Sequence, residues 1–233
     1  MDHRFFYIIW ASIFFLIWLA LFIHRKNIRG EMLFMSILFG FGGIISQLTH
    51  LKDWWKPLTL TKTPIGIEDF IIGFSIGGIA SVIYAELYHK KIKLKRIDSK
   101  KKDLKYYFLG DLFLVSFAMV FLAIFYGLNL NSFYSAVIAY FAGIITIYWF
   151  RKDLVLDSFA SGIMLLILGS TVYYFLFLLY PDYIQKFWYL HQNWYSNLVL
   201  GIPIGEYIWF FLTGAFIGPL YEFVRFKRFV KVR

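Results

Sequence analysis

Seven long apolar segments constrain this chain of 233 residues more than any other feature. Each approaches the roughly 20 apolar residues that a helix needs to cross a bilayer. A spanning backbone must satisfy its hydrogen bonds internally, and the alternating pattern of a membrane barrel is absent, so the segments are predicted to be helices. The predicted spans are residues 5–23, 32–49, 67–87, 106–126, 133–150, 155–180 and 202–222. We therefore expect an all-α integral membrane protein.

The composition agrees with a membrane protein and excludes some chemistry. Hydrophobic residues make up 60% of the chain and charged residues 16%, which is too apolar for an ordinary soluble domain. Cysteine is absent, so disulfides, thiolate nucleophiles and sulfur-ligated metals are excluded. The first apolar segment lacks a small-residue cleavage site before the basic run at 24–29, and we expect it to be retained as a helix.

The basic residues predict an orientation. All but five of the 24 lysines and arginines fall in residues 24–31, 88–105, 151–154 and 225–233, which lie on one side of the predicted bundle. We expect the protein to lie in the cell membrane. The positive-inside rule then places the amino terminus outside and the carboxyl terminus in the cytoplasm. The basic segment 89–105 is predicted to be a solvated loop near anionic lipid. It lacks a nucleic-acid-binding module, so we expect no nucleic-acid partner.

The chain contains an internal repeat. Residues 63–84 align without a gap to residues 200–221, and residues 25–36 align to residues 151–162. The repeated unit is therefore three helices, in residues 1–88 and again in residues 131–233. A basic loop and a linking helix in residues 89–130 return the chain across the membrane. Both units then run in the same direction, as parallel repeats do, and a site is expected where they face each other.

Each unit places carboxylates where an apolar helix begins. Glu68 and Asp69 begin the third predicted helix, and Glu206, which aligns with Asp69, begins the seventh. Ionisable groups at a membrane boundary are costly and are functional candidates when they lack partners, although simple helix-start residues are the alternative. Carboxylates near the other helix ends have basic neighbours that explain them structurally. A protonated carboxyl beside hydrocarbon suits proton transfer to and from a lipophilic substrate.

Glycines and aromatic residues have mainly structural interpretations. The GxxxG spacings at Gly73 and Gly77 and at Gly214 and Gly218 predict close packing of the third and seventh helices. Aromatic residues in the two outer loops are predicted to form an interfacial belt rather than a ligand site. They include Trp54, Trp55, Trp188 and Trp194.

Several enzyme classes are disfavoured by missing motifs. The five histidines are scattered without ligand spacing, so no metal site is expected. The chain has no GxSxG serine motif and no phosphate-binding loop. The sequence GFGG at 40–43 does not satisfy the dinucleotide fingerprint, and we expect no cofactor.

The two carboxylate segments resemble a known family. GIEDFIIGFSIGGIASVIY and GIPIGEYIWFFLTGAFIGPLYE are similar to the paired motifs of the lycopene cyclase domain, found in small polytopic carotenoid cyclases. The resemblance covers both three-helix units. It implies a redox-neutral, acid-catalysed closure of an acyclic lycopene end to a β-ionone ring. The end double bond is protonated, a neighbouring alkene attacks the cation, and loss of a proton completes the ring.

The second motif departs from the family pattern. The family usually reads Pro-x-Glu-Glu, whereas Gly205 precedes Glu206 here. A mechanism with two carboxylates must then draw its second group from the other unit. We expect Glu206 to act with Asp69 or Glu68, one as acid and the other as base or cation stabiliser. The aromatic residues that follow these carboxylates are the candidate contacts to a carotenoid or polyprenoid substrate, namely Phe70, Phe74, Tyr207 and Phe211.

A second function of a different class remains open. The same fold suits a non-catalytic membrane protein that binds an isoprenoid or acts as a small transporter between the two units. Gly205 favours this alternative, whereas the three outer carboxylates favour the enzyme. The sequence does not decide between a monomer and a homo-oligomer.

Overall fold

Seven helices in the described residues are long and apolar enough to cross a membrane. The computed structural model describes residues 2–88, 92–96, 104–190 and 193–231. The predicted all-α membrane fold with seven spans is confirmed. The main helices are α1 (Arg4–His24), α2 (Arg29–Asp53), α3 (Ile67–Tyr88), α4 (Leu104–Leu122), α5 (Ser132–Phe150), α6 (Val155–Leu179) and α8 (Ile204–Ile217).

Three of the spans are not a single regular α-helix. A π-helical turn, Ala123–Gly127, extends α4, and a 3₁₀ turn, Lys152–Leu154, precedes α6. The seventh span consists of α8 and the short helix α9 (Leu220–Val224). Pro219 separates them, because proline has no backbone N–H to continue the helical ladder. A further short helix, α7 (Tyr183–Phe187), lies between α6 and α8.

A small hairpin leads the chain into α8. Strand β2 (Leu198–Val199) pairs antiparallel with β3 (Ile202–Pro203). The two residues between them, Leu200 and Gly201, have φ angles of 51° and 78°. Positive φ at both positions is the geometry of a tight type I′ hairpin turn. The predicted span 202–222 therefore begins two residues too early, because Ile202 and Pro203 belong to this hairpin.

A second pair of strands joins two basic segments. Strand β1 (Ile92–Arg96) pairs antiparallel with β4 (Lys227–Lys231), so that Ile92 is opposite Lys231. The prediction of a solvated loop over residues 89–105 is wrong for residues 92–96, which form a ladder with the carboxyl-terminal tail. Residues 89–91 and 97–103 of that prediction lie outside the described residues. The pairing places the loop and the tail at the same end of the bundle.

Close helix packing occurs within each three-helix unit. A Cβ built at Gly77 of α3 would lie 2.8 Å from the carbonyl oxygen of Met35 in α2. A Cβ built at Gly214 of α8 would lie 2.5 Å from the carbonyl oxygen of Ser161 in α6. The absence of a side chain thus allows α3 to approach α2, and α8 to approach α6. The predicted close packing of the third and seventh helices is confirmed, and their partners at these glycines are α2 and α6.

The tight contacts occur at matching positions of the aligned units. Met35 aligns with Ser161, and Gly77 aligns with Gly214. The aligned arginines behave alike as well. Arg25 donates a hydrogen bond to the carbonyl oxygen of Ala85 at 2.8 Å, and Arg151 donates one to that of Glu222 at 3.2 Å. These matching contacts support the interpretation of two three-helix units.

Gly214→Ala is expected to destabilise the protein by about 1–3 kcal/mol, because the new methyl group would overlap the backbone of α6. Gly30→Ala is the matched control, since a Cβ at Gly30 meets nothing within 4 Å. Alanine in that helix is expected to be neutral or to stabilise by up to about 1 kcal/mol. Denaturant unfolding in detergent measures both variants. Equal unfolding free energies would show that the contact with α6 is not tight.

Candidate active site

A cavity of about 400 Å³ lies inside the helix bundle. Its wall is mainly apolar and aromatic, and it includes residues from α1 to α6 and from α8. Both three-helix units therefore contribute to it. A few polar side chains interrupt the apolar wall. They include Tyr7, Gln47, His50, Asp69, Tyr173 and Glu206.

Asp69 reaches the cavity from the first turn of α3. Its side chain is buried, and its Oδ1 atom accepts a hydrogen bond of 2.5 Å from the hydroxyl of Tyr7 in α1. Its Oδ2 atom accepts a hydrogen bond of 2.7 Å from the backbone N–H of Gly66. A carboxylate is favourable there because the first backbone N–H groups of a helix lack partners within the helix. Asp69 is therefore fixed by one side chain and by the backbone before its own helix.

Glu206 occupies the equivalent place in the first turn of α8. Its Oε1 atom accepts two hydrogen bonds from indole N–H groups, at 2.7 Å from Trp54 and 2.9 Å from Trp188. Tyr173 also interacts electrostatically with Glu206. An indole N–H can only donate, so both tryptophans require Oε1 to act as an acceptor. The carboxyl group is thereby held at the cavity wall, in a surrounding of aromatic rings.

The two carboxyl groups are buried without a cationic partner in the described part of the chain. Asp69 and Glu206 are each 3% exposed. Among the residues that the structure describes, neither forms an ion pair with lysine, arginine or histidine. Their partners are hydroxyl, indole and backbone groups instead. Carboxyl groups held this way, beside an apolar cavity, have the placement needed to exchange protons with a hydrocarbon.

Glu68 lies next to Asp69 in sequence but faces a different region. It is fully buried, and its Oε1 atom accepts a hydrogen bond of 2.6 Å from the backbone N–H of Leu60. Its other carboxyl oxygen lies so close to Gly66 that a Cβ there would be 2.1 Å away. Glu68 thus contacts the loop before α3 and is not part of the cavity wall. The structure brings Asp69 and Glu206 to one cavity and leaves Glu68 outside it.

The four aromatic residues predicted to contact substrate do not line the described cavity. Phe70 and Phe74 pack beside each other in α3, and Phe74 also contacts Trp18. Phe211 packs against Phe159, and Tyr207 donates a hydrogen bond to the carbonyl oxygen of Val199. These residues contribute to packing around the helix ends.

Other aromatic residues form the cavity wall in their place. They include Tyr7, Trp10, Trp54, Trp55, Phe117, Tyr173 and Trp209. The sequence could have indicated Tyr7 and Trp10 as neighbours on the cavity wall, because residues three apart share one face of a helix. Trp55 and Trp188 are 6% and 8% exposed, so the interfacial-belt prediction is wrong for them. Trp194, which is 53% exposed, fits that prediction.

Residues 131–224 match the model of the family described as lycopene cyclase. This segment, which is about two fifths of the chain, is similar to that family. It begins where the second three-helix unit was predicted to begin, and it contains Glu206. No curated protein and no solved structure matches the chain.

The lycopene cyclase segment carries the unusual Gly205, and the structure shows what surrounds it. A Cβ built at Gly205 would lie 3.3 Å from the Cη2 atom of Trp54 and 3.4 Å from the ring of Phe133. These distances are tight, so a side chain at position 205 would require Trp54 or Phe133 to shift by a few tenths of an ångström. Trp54 is also the residue whose indole donates to Glu206.

A second group of buried carboxylates lies at the end of the helix bundle opposite Asp69 and Glu206. Glu31, Asp157 and Glu222 are at most 5% exposed, and both Glu31 and Glu222 interact electrostatically with Asp157. No ion pair in the described part of the chain includes these three. The explanation by basic neighbours holds for Glu86 with Arg25 and for Asp111 with Arg225. Lys227 attracts Glu31 and Arg151 attracts Glu222 without forming an ion pair, and Glu31 and Asp157 lie in the first turns of α2 and α6.

Proposed function

We propose that the protein is a membrane carotenoid cyclase that closes a ring at an acyclic end of a lycopene-type polyprenoid. The observation that carries this proposal is the pair Asp69 and Glu206, two buried carboxyl groups from different units on the wall of one apolar cavity. The match of residues 131–224 to the lycopene cyclase family model supports carotenoid cyclase activity in general. The mechanism and the residue roles that follow belong to the proposal.

The reaction adds one proton and removes one proton. A carboxylic acid protonates the terminal double bond, and the resulting carbocation accepts the two π electrons of a neighbouring alkene to form the ring bond. The cation is then next to the new ring, and loss of a proton from an adjacent carbon forms the ring double bond. The product is an isomer of the substrate, so no oxidant or reductant is consumed. Asp69 and Glu206 divide the two proton transfers between them.

The aromatic wall suits the cationic intermediate. Trp10, Trp55 and Tyr173 line the cavity, and aromatic rings attract cations through their quadrupoles. An apolar wall also limits water near the intermediate, which protects the cation from capture as an alcohol. These residues take the substrate-contacting role that the sequence assigned to Phe70, Phe74, Tyr207 and Phe211.

Conversion of lycopene tests this proposal. Membranes from cells that express the protein are incubated with lycopene in heavy water. The pigments are then separated by chromatography, and their molecular masses are measured by mass spectrometry. We expect a cyclic product that carries one deuterium for each ring formed, since the carboxyl proton exchanges with solvent. Unchanged lycopene in the presence of inserted, folded protein would contradict the proposal.

The proposed orientation places the amino terminus outside and the basic segments in the cytoplasm. It is supported by the pairing of β1 with β4, which brings the loop and the carboxyl-terminal tail to the same end of the bundle. Asp69 and Glu206 would then lie towards the outer surface of the membrane. Protease protection of tags on the two termini, measured in sealed vesicles, tests this orientation.

Gly205 favours a second candidate function, an isoprenoid-binding membrane protein without catalysis. Where the family has a carboxylate, this chain has an aromatic contact with Trp54. Such a protein would retain lycopene through purification and release it unchanged. The same pigment separation distinguishes the two candidates.

A further inference from the structure

The wall of the cavity is closed on one side and open on the other. Lining residues of α3, α6 and α8 are buried, as Ile76, Tyr173 and Phe216 show with exposures of 3%, 1% and 0%. Lining residues of α2 differ, since Phe41 and Ile45 are 59% and 58% exposed. The same residues therefore contact both the cavity and the surroundings of the bundle.

Helix α4 forms the other edge of this opening. Leu114, Ala118, Phe121 and Leu122 of α4 line the cavity, and the side chains of this helix are largely exposed. Helix α2 packs mainly against α3, whereas α4 packs mainly against α5 and α9. The two helices thus flank the cavity, and each packs mainly against other helices rather than against its neighbour across the opening.

The opening faces hydrocarbon rather than water. Both α2 and α4 belong to predicted membrane spans, and the cavity-lining residues at the edges are apolar. Gly42 of α2 also lines the cavity, and a Cβ there would meet nothing closer than 3.9 Å. The missing side chain leaves space beside the opening.

We propose that a linear polyprenoid enters the cavity from the bilayer through the opening between α2 and α4, which we name the lateral opening. Its end group reaches Asp69 and Glu206, while the remaining chain lies against Phe41, Ile45 and Phe121. This inference rests on the proposed function. A cavity of about 400 Å³ is near the lower limit for a drug-sized ligand, so it accommodates an end group but not a whole carotenoid chain.

The absence of cysteine from the chain makes a direct test available. Ile45→Cys and Phe121→Cys each place one thiol at the lateral opening, and Leu16→Cys places one on α1. Leu16 is the control because it is 62% exposed and does not line the cavity. Each variant in membranes is treated with an uncharged maleimide that carries a bulky apolar group, and its conversion of lycopene is compared before and after labelling.

Labelling at position 45 or 121 is expected to reduce conversion at least about 10-fold, whereas labelling at position 16 leaves it unchanged. A second readout does not require catalysis. Membranes loaded with lycopene should slow the labelling of positions 45 and 121 at least about 3-fold relative to lycopene-free membranes, with no change at position 16.

The two readouts separate failure of this inference from failure of the proposed function. If no variant converts lycopene before labelling, the proposed cyclase function is contradicted. The effect of lycopene on the labelling rates then tests the lateral opening without any need for catalysis. Equal labelling rates with and without lycopene at positions 45, 121 and 16 overturn the lateral opening. Full conversion after complete labelling at both positions overturns it as well.

Discussion

Glu206→Gln is expected to lower lycopene conversion by about 100-fold or more, the range typical for loss of a general acid or base. Glutamine has nearly the same shape, and its side-chain oxygen can still accept hydrogen bonds from Trp54 and Trp188. The amide cannot deliver or accept the proton that the reaction requires. Initial rates in membranes, normalised to the amount of inserted protein, measure the effect.

Asp182→Asn is the matched control for this substitution. Its carboxyl group is exposed, and it pairs with Lys186 and His3 outside the membrane spans. The hydrogen bond from Lys186, followed by that from His3, holds the pKa of Asp182 well below its usual range. Loss of this surface charge is expected to leave conversion unchanged. Full conversion by Glu206→Gln would remove Glu206 from the proposed mechanism.

The seven spans were predictable because each is long and apolar, and this local property requires no knowledge of neighbours. The strands were not predictable in the same way. Strand β1 pairs with β4 across more than 100 residues of sequence, and each strand alone reads as a basic loop. The partner of a strand is decided by the whole fold, so local composition does not reveal it.

The cavity wall was harder to predict than the helices. Helix α3 is apolar on nearly every side, so the pattern of apolar residues does not show which side faces inward. The GxxxG spacings identified a surface for close packing but not its partner. Gly77 contacts α2 and Gly214 contacts α6, and the spacing alone does not name these partners.

The repeat predicted the positions of two carboxylates but not their partners. Asp69 and Glu206 begin their helices at aligned positions, as expected. A tyrosine of α1 donates to Asp69, whereas two loop tryptophans donate to Glu206. These donors occupy different positions in the two units, so an alignment of the units cannot supply them. Each carboxyl group therefore acquires its own surroundings from residues that differ between the two units.

Asp69→Asn is expected to reduce conversion strongly, whereas Glu68→Gln is expected to leave it nearly unchanged. Both exchange a carboxyl for an amide of nearly the same shape, in adjacent residues. Consecutive helical residues point about 100° apart, which is why one of them can line the cavity while the other contacts a loop. Asp69→Asn is expected to reduce conversion by about 100-fold, because Asp69 supplies the second proton-transferring group.

Glu68→Gln should keep conversion within about 3-fold of the original, because the amide oxygen can still accept the hydrogen bond from Leu60. Rates for both variants are measured in membranes and normalised to inserted protein, and unfolding in detergent shows whether either variant is destabilised. The reverse result, with conversion lost in Glu68→Gln and retained in Asp69→Asn, would assign the second proton transfer to Glu68. Asp69 would then be a helix-start residue, held by Tyr7 and by the backbone of Gly66, and the two carboxyl groups on the cavity wall would not form the catalytic pair.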